Sequence, residues 1–479
     1  MMHRLITTSH LAAAVAMVTL SGANLLLTPA AMALEAPPPL SAPHPFELPS
    51  KVDYELANGL TVTLVPFSTI PRATILIDAN TGYVADQDPA GLSALVAELL
   101  KEGAGSHTGQ QLASLFADMG GALSVTANLN DLTFETSILS ERIPRALGLM
   151  ADVLRRPTLP ADALPRLKKD LTRTIAIQRA QAGSIASEAF ARILWGPGPF
   201  GHGYPSDSEI AALTHEQVRH YLLHRLGARR THIYIAGQFD QSAVENALRI
   251  HFGTWSAGSP PEVNVPHSMG TRTITLIDRP GAAQSTILMG LPVTDVTHEH
   301  FTDLSVANSL LGGSLLSRLN QNLREAKGYT YGANSQLTPY HGLSTWTISS
   351  DVNTPDTAAA LHEIFIEMSR LTSELSASEE LQRIKNYRAG HFVLSASSRT
   401  SLLGQLQFID QHQLPDDWLT HYVVRTNAVT PTQVLDAAHA AWSPETMTLV
   451  IVGDLAKIRA PLQALQELQG IDFHSPGME

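Results

Sequence analysis

Alternating apolar and polar residues predict a β-hairpin near the start of the chain. Residues 52–56 alternate up to Asn58-Gly59, and residues 60–64 alternate again beyond this pair. An Asn-Gly pair between two alternating runs favours a two-residue turn. The apolar run at residues 74–77 then predicts a buried strand.

Helical spacing follows this strand. Asp88-Pro89 is a suitable helix start, because aspartate accepts free backbone N–H groups and proline suits the first turn. The apolar face that follows, which Gly103 ends, consists of Leu92, Leu95, Val96, Leu99 and Leu100. Further helices are expected at residues 109–119, 143–155 and 161–181, with a hairpin at 122–139 between them. Separate runs of strands and helices predict an α+β fold in which antiparallel-rich mixed sheets pack against helices.

Two strand patterns occur twice in the chain at nearly the same spacing. Residues 74–77 (TILI) are repeated at 286–289 (TILM). Residues 233–237 (IYIAG) are repeated at 450–453 (VIVG), and the closing glycines are separated by almost the same length of chain as the two TIL runs. Repeats at one common offset predict two tandem homologous domains. We expect a first domain at 51–255, a linker at 256–270, a second domain at 271–470 and a tail at 471–479.

The first 33 residues have the pattern of a secretory signal peptide. Arg4 precedes an apolar stretch that extends to Leu27, and Ala31-Met32-Ala33 is a small-x-small cleavage sequence. Polar residues and Pro29 interrupt this stretch before it reaches the roughly 20 apolar residues of a membrane span. We therefore expect cleavage after residue 33, a stiff Pro-rich leader at 34–50, and export to the periplasm or the exterior. Retention of the segment as a membrane anchor is the alternative.

The amino-acid composition limits the classes of partner and of metal site that the chain could have. The 479 residues include 32 Lys and Arg against 44 Asp and Glu, and the formal net charge is -12. This balance offers no cationic surface to nucleic acids, which we exclude as partners. The chain has no cysteine, so any metal would have to be held by histidines and carboxylates. No later segment has the length and continuous apolar character of a membrane span.

Two stretches of the second half carry a resemblance to a known family. They are LGGSLLSRL at residues 311–319 and LREAKGYTY at residues 323–331. Together with the order of hairpin, strand and helix in the first half, they resemble the pitrilysin/insulinase family of zinc peptidases. The resemblance extends from residue 52 to residue 468. It implies the inverzincin fold, in which two homologous domains form half of a clam-shell chamber.

The zinc motif of that family is lost in this chain. Active members carry H-x-x-E-H on the first helix, where two histidines hold zinc and the glutamate activates water. Ala94 and Glu98 stand at the two histidine positions, and Ala97 stands at that of the glutamate. The resemblance places Thr174 at the third ligand. One carboxylate cannot replace two imidazoles and a glutamate, so we expect no bound metal and no catalytic residue in this chain itself.

Other histidines are alternative metal ligands, but each has a simpler interpretation. His215 and His220 are five residues apart, which places them on different faces of a helix. His298 and His300 precede a predicted surface helix, where a loop site for a metal is the less favoured interpretation. His202 lies in a glycine-rich stretch, and a role in a turn is favoured for it.

The resemblance assigns roles to Arg324 and Tyr331. Their spacing of seven matches the family's substrate-binding arginine and tyrosine. In the family these residues reach the zinc centre of the other half or the other subunit, bind substrate carbonyls and support the oxyanion. Gly312 and Gly313 would let the backbone approach the substrate. From the residues alone, Arg324 could instead satisfy a helix C-terminus, and Tyr331 could be an ordinary strand residue.

We expect Arg324 in the last turn of a regular helix. Gly328 is a suitable helix stop, because glycine commonly follows the last helical residue. The apolar face of this helix would consist of Leu315, Leu319 and Leu323.

A chain with the Arg/Tyr pair intact and the zinc motif lost resembles the non-catalytic subunit of a bacterial two-subunit peptidase. The resemblance implies an exported heterodimer with a homologous zinc-bearing partner and with extended peptides as substrates. The alternative is an inactive peptidase-fold scaffold or protein-binding module with no role in proteolysis. An independently active peptidase would need a metal site that these residues do not supply. Co-purification with a companion chain that carries an intact H-x-x-E-H distinguishes the first two hypotheses.

Overall fold

A computed structural model describes residues 46–84, 89–270, 272–443 and 446–474 of the chain. The predicted signal peptide, most of the predicted leader, Asp88 and the last five residues lie outside these ranges. Within them, no helix combines the length and the apolar character needed to cross a membrane.

The elements of the first half are mixed strands and helices up to residue 139, then a run of helices, and finally one strand and one helix. In chain order they are β1 (Val52–Glu55), β2 (Thr61–Pro66), β3 (Arg72–Ala79), α1 (Leu92–Leu100), β4 (Gly103–Ala104), β5 (His107–Thr108), α2 (Gly109–Asp118), β6 (Ser124–Ala127), β7 (Leu132–Leu139), α3 (Ile143–Arg155), α4 (Leu164–Arg179), α5 (Ala182–Trp195), α6 (Asp207–Ala212), α7 (His215–Arg225), β8 (Thr231–Gly237) and α8 (Gln241–Phe252).

The second half repeats this order with local changes. Its elements are β9 (Thr273–Asp278), β10 (Gln284–Val293), α9 (Phe301–Leu311), a π-helix (Asn320–Ala326), β11 (Thr330–Pro339), β12 (Ser344–Asn353), α10 (Thr357–Ser373), α11 (Ser378–Ala396), α12 (Arg399–His412), α13 (Tyr422–Ala428), α14 (Pro431–Ala441), β13 (Thr448–Gly453), α15 (Leu455–Gln463) and β14 (Phe473–His474).

The predicted hairpin and first helix are both present. Gly59 has a φ of 90°, which favours glycine in the turn, and Asn58 Nδ2 donates to the Phe252 carbonyl at 2.9 Å. α1 begins at Leu92, later than the Asp88-Pro89 pair predicts, and Gly91 precedes it with a φ of 83°. The predicted apolar face of α1 is buried.

Each half of the described chain builds one six-stranded sheet, and the two sheets share a strand order. The first runs β1-β2-β8-β3-β7-β6 and the second β14-β9-β13-β10-β12-β11. In both, a parallel pair, β2-β8 or β9-β13, precedes three antiparallel pairings. The edge strand differs, because β1 is antiparallel to β2 whereas β14 is parallel to β9. The predicted fold class, two related halves with antiparallel-rich mixed sheets, is confirmed.

The sequence repeats occupy equivalent positions in the two sheets. Thr74 of β3 pairs with Ala236 of β8, and Thr286 of β10 pairs with Val452 of β13. Each threonine is the first residue of its TIL run, and each partner directly precedes the closing glycine of its own repeat. A one-residue slip in either sheet would turn every side chain to the opposite face, so this match in register is specific evidence of duplication.

Each half contributes one helix that packs on the sheet of the other half. α5 of the first half lies on β10 and β13 of the second sheet, and α12 of the second half lies on β3 and β8 of the first sheet. Both helices have 14 residues. Apolar residues line both contacts: Phe190, Leu194 and Trp195 pack with Val450 and Val452, and Leu402, Leu403 and Leu406 pack with Leu76 and Ala236. Each sheet therefore has a helix of the other half packed over one of its faces.

The contact between α12 and the first sheet also includes polar side chains. Gln411 Nε2 donates to Asp131 Oδ2 at 2.8 Å and to Asp78 Oδ2 at 3.2 Å. Burial raises the pKa of both carboxyl groups, and for Asp78 the neighbouring Asp131 adds to the rise. Tyr234 also donates its hydroxyl to Asp410 on the same helix at 2.6 Å. One helix of the second half thus connects to two buried acids of the first.

Candidate functional site

The positions that correspond to the zinc motif do not fit a zinc ion. On α1, Ala97 is buried, and Glu98 is exposed with its carboxylate 2.8 Å from the ammonium of Lys101. α4 packs against α1 and carries Thr174, whose hydroxyl donates to the Asp170 carbonyl at 2.9 Å. Zinc binds through histidine nitrogens, cysteine sulfurs and carboxylates, so this arrangement supplies one carboxylate that already has a partner.

The remaining histidine candidates have structural contacts of their own. His215 Nε2 lies 2.7 Å from the Leu159 carbonyl, and His202 Nε2 lies 3.2 Å from the Glu209 carboxylate. His300 Nδ1 lies 3.2 Å from a carboxylate oxygen of Asp303. In the part of the chain that the structure describes, no three His, Asp or Glu residues form a group that could hold a metal.

Arg324 belongs to a π-helix, which corrects the prediction of a regular helix. Residues 320–326 form this segment, and Gly328 follows it with a φ of 67°. Leu319 and Leu323 are buried as predicted, but Leu315 is 69% exposed in the turn that precedes the helix. The spacing suggested one continuous helix, whereas the turn after α9 delays the helix start to residue 318. Single π-helical turns frequently occur at functional sites.

Tyr331 lies in a β-bulge at the start of β11. Thr330 pairs with Val352 and Ala333 pairs with Ser350, so three steps along β11 match two along β12. The extra residue disrupts the alternation of the strand, and Tyr331 is 87% exposed. Bulges re-aim side chains and are enriched next to active sites.

Two hydroxyl groups stabilise the bulge. Thr330 Oγ1 donates to the Asp351 carbonyl at 2.6 Å and accepts from the Gly332 N–H at 3.0 Å. Ser350 Oγ donates to the Gly332 carbonyl at 3.0 Å. The amino-acid pattern around Tyr331 does not reveal these residues, because the bulge arises from pairing with β12, which follows later in the chain.

The π-helix and the bulge bring Arg324 and Tyr331 together. The guanidinium carbon lies 5.2 Å from the centre of the Tyr331 ring, and 34% of the Arg324 side chain is exposed. Arg324 Nε also lies 3.4 Å from the Glu325 carboxylate. An exposed cation–π contact contributes only about 0.5–1 kcal/mol, so the backbone, not this contact, must fix the pair. The result is a cation and a phenol hydroxyl presented side by side at the surface.

Gly312 and Gly313 are required for close packing within this chain. A Cβ atom on Gly312 would lie 2.7 Å from Ser335 of β11, and one on Gly313 would lie 3.0 Å from the Asn308 side chain. The turn that follows α9 is therefore pressed against the strand that carries Tyr331. This packing role accounts for both glycines without a substrate, and the predicted approach to a substrate stays a prediction.

Two family models match successive parts of the chain. Residues 62–201 match the model described as Insulinase (Peptidase family M16), and residues 212–387 match the model described as Peptidase M16 inactive domain. The chain belongs to peptidase family M16. The inactive-domain match includes Arg324 and Tyr331, and the other match includes all four degenerate zinc positions. The resemblance found in the sequence is thereby confirmed.

Relatives named as zinc proteases match most of the chain at low identity. The uncharacterized zinc protease YmxG of Bacillus subtilis is 23% identical over 357 residues, which cover 74% of this chain and 86% of the relative. The uncharacterized zinc protease ML0855 of Mycobacterium leprae is 24% identical over 398 residues, which cover 80% of this chain and 87% of the relative.

Solved structures share the M16 fold of this chain. A peptidase M16 inactive domain from Pseudomonas fluorescens has a TM-score of 0.78 at 22% identity and covers 84% of this chain and 98% of that one. A protease from Helicobacter pylori has a TM-score of 0.76 at 15% identity and covers 85% of this chain and 100% of that one.

Proposed function

We propose that this M16 chain is the non-catalytic subunit of an exported heterodimeric zinc peptidase. It supplies Arg324 and Tyr331 to a homologous partner that holds the zinc, and the pair of chains processes or degrades extended peptides in a chamber between them. One observation carries the proposal. The chain presents an Arg–Tyr pair at its surface on two irregular elements, while its zinc positions supply a single carboxylate.

The chemistry of the pair suits peptide hydrolysis in a partner's site. When water attacks a peptide carbonyl, the oxygen gains negative charge, and donors placed near that oxygen stabilise the transition state. The Arg324 guanidinium and the Tyr331 hydroxyl are such donors; Tyr331 is exposed, and the Arg324 side chain is partly exposed. The partner's zinc would activate the water. Arg324 would also hold the substrate carbonyl before reaction.

The proposal predicts a stable companion chain with an intact H-x-x-E-H motif. The experiment is to purify the protein from its native source under mild conditions, with a tag at the C-terminus, and to identify what co-elutes in stoichiometric amount. A companion with the zinc motif, and peptidase activity in the complex but in neither chain alone, supports the proposal. Isolation of the chain without such a companion, or a stable complex without peptidase activity, supports the inactive scaffold instead.

Export is part of the proposal and rests on the first 33 residues. The supporting pattern is Arg4, the apolar stretch after it and Ala31-Met32-Ala33. Sequencing the N-terminus of the mature protein from the periplasm or the medium should show cleavage after Ala33. An intact N-terminus in the membrane fraction would instead indicate a retained anchor.

A further inference from the structure

Asn320 connects the three segments that make up the Arg–Tyr site. It is the first residue of the π-helix that carries Arg324, and its side chain is buried, with 4% of the residue exposed. Its Nδ2 donates to the carbonyls of Ser314 and Ala333, both at 2.9 Å, and its Oδ1 accepts from the Ala333 N–H at 3.1 Å. The amide thus bonds to the turn after the glycines and to the strand of Tyr331.

The contact with Ala333 imitates a neighbouring strand. β11 is at the edge of its sheet, so within the described ranges its backbone groups that face away from β12 have no strand to pair with. The Asn320 amide presents one N–H and its C=O on the same side, as a residue of a paired strand does, and it bonds to both the C=O and the N–H of Ala333. Because the acceptor must face the N–H and the donor the C=O, only one orientation of the amide fits.

The hydrogen bonds between Asn320 and Ala333 fix the bulge at its C-terminal end. Thr330 and Ser350 hold the residues before and within the bulge, whereas Asn320 holds Ala333 directly after it. Two residues on, the Asn308 amide donates to the Ser335 carbonyl at 3.2 Å in a similar way. Tyr331 therefore projects from a segment fixed at both ends, and one end is fixed by the helix of Arg324.

We propose that Asn320 is a positioning residue, which fixes the distance between Arg324 and Tyr331 through its bonds to Ala333 and Ser314. The inference deepens the proposed function and rests on it for the effect on turnover. Asn320 does not touch the substrate. It acts through the placement of two donors, and misplacement by about 1 Å can cost on the order of a hundredfold in rate.

The test compares Asn320→Asp and Asn320→Ala with Asn322→Ala. Aspartate has the same shape as asparagine but no N–H donor. Its carboxylate oxygens would face the two carbonyls that accept hydrogen bonds from the Asn320 amide in the wild-type protein. Asn322 is the matched control: it lies in the same π-helix, but its amide donates to Glu363 and Glu367 of α10, both at 2.9 Å. The Asn322→Ala variant therefore removes comparable hydrogen bonds that do not involve β11.

The first measurement is amide hydrogen exchange of residues 329–336 in the purified chain, which needs no partner. We expect faster exchange at Ala333 in Asn320→Ala, which removes the acceptor of its N–H, and unchanged exchange in Asn322→Ala. The second is turnover of the assembled complex, which should fall about tenfold to a hundredfold with little change in KM. In Asn320→Ala combined with Tyr331→Phe, the loss should be smaller than the product of the single losses.

Unchanged exchange in Asn320→Ala would overturn the inference. So would faster exchange with wild-type turnover, or losses that multiply in the double variant. A wild-type complex without peptidase activity would instead remove the proposed function, and the exchange result alone would then decide whether Asn320 holds the bulge.

Discussion

The guanidinium carbon of Arg324 lies 5.2 Å from the centre of the Tyr331 ring, although one residue belongs to a π-helix and the other to a bulged strand. Regular geometry in either element would point at least one of these side chains elsewhere. Irregular backbone persists where the surrounding structure specifies it, and such sites are frequently functional. Together, the two irregularities place this pair side by side.

Removing either donor should reduce turnover of the complex. We expect Arg324→Ala and Tyr331→Phe each to lower the rate of peptide hydrolysis on the order of a hundredfold, because each removes one donor from the developing oxyanion. Arg324→Ala should also raise KM if the guanidinium holds the substrate carbonyl before reaction. The measurement is steady-state hydrolysis per assembled complex, with assembly determined by size-exclusion chromatography.

Two exposed neighbours provide controls for this experiment. Gln321→Ala changes the same π-helix, and Asn334→Ala changes the same strand; both side chains are exposed. Neither variant should alter turnover. If Arg324→Ala instead lowers the melting temperature and reduces activity only in proportion to misfolded protein, Arg324 has a structural role and the assignment of this pair fails.

The purified chain should bind no stoichiometric zinc. Ala94, Ala97 and Thr174 supply no ligand, and the Glu98 carboxylate already pairs with Lys101. Metal analysis after dialysis should find far less than one zinc per chain. Close to one zinc per chain, lost in Glu98→Ala, would contradict the interpretation as a non-catalytic subunit.

Restoring the ligands is the converse experiment. We expect the combination of Ala94→His, Glu98→His and Thr174→Glu to bind zinc, because the three positions lie on the packed pair α1 and α4. Addition of Ala97→Glu should still give little turnover, since the neighbours that orient metal ligands in active enzymes would be missing.

Local and periodic signals in the sequence predicted much of the fold. Asn58-Gly59 identified the hairpin because the turn chemistry is contained in two residues. The repeat of the TIL run, which begins at Thr74 and again at Thr286, identified the duplication, and the two threonines occupy equivalent positions in the strand register. The Arg324–Tyr331 pair was found through its motif rather than through any local pattern of apolar residues.

Features that depend on distant pairing were not predictable in this way. Leu315 has the spacing of a helical residue with Leu319, yet it lies outside the helix because Gly312 packs the turn against β11. The bulge at Tyr331 depends on Ser350, and the burial of Asp78 depends on α12 in the other half of the chain. Such contacts arise from tertiary structure, and a local pattern carries no signal of them.

The helices α5 and α12, each packed on the sheet of the other half, should make the two halves unfold together. Phe190 on α5 and Leu403 on α12 are buried against the sheet of the opposite half. We expect Phe190→Ala and Leu403→Ala each to lower the free energy of unfolding by about 2–5 kcal/mol, through lost burial and the cavity left behind. Calorimetry should still show one transition. Two separate transitions in wild-type protein would show that the halves are independent and that this packing contributes little.

Stability should fall as the pH rises through the range in which the buried acid pair ionises. Burial, assisted by Asp131, raises the pKa of Asp78 to about 8 in the folded protein, whereas an unfolded aspartate has a pKa of about 3.9. A group whose folded pKa is raised contributes stability below its unfolded pKa, and that contribution is lost as the pH approaches the folded value. His232 and His412 have folded pKa values lowered by burial to about 4, so they change stability in the opposite direction, but only below about pH 7.

The effect of Asp78 on stability should therefore be measured between pH 7 and 9, where the two histidines do not contribute. In chemical denaturation we expect the wild type to lose stability on the order of 1–3 kcal/mol across this window, since one pKa unit corresponds to about 1.4 kcal/mol. Asp78→Asn removes the ionising group and keeps an oxygen that can accept from Gln411, so its stability should be nearly constant there. Parallel slopes for the wild type and Asp78→Asn would show that Asp78 is already ionised in the folded protein at pH 7, and the interface between α12 and the first sheet would then not respond to pH.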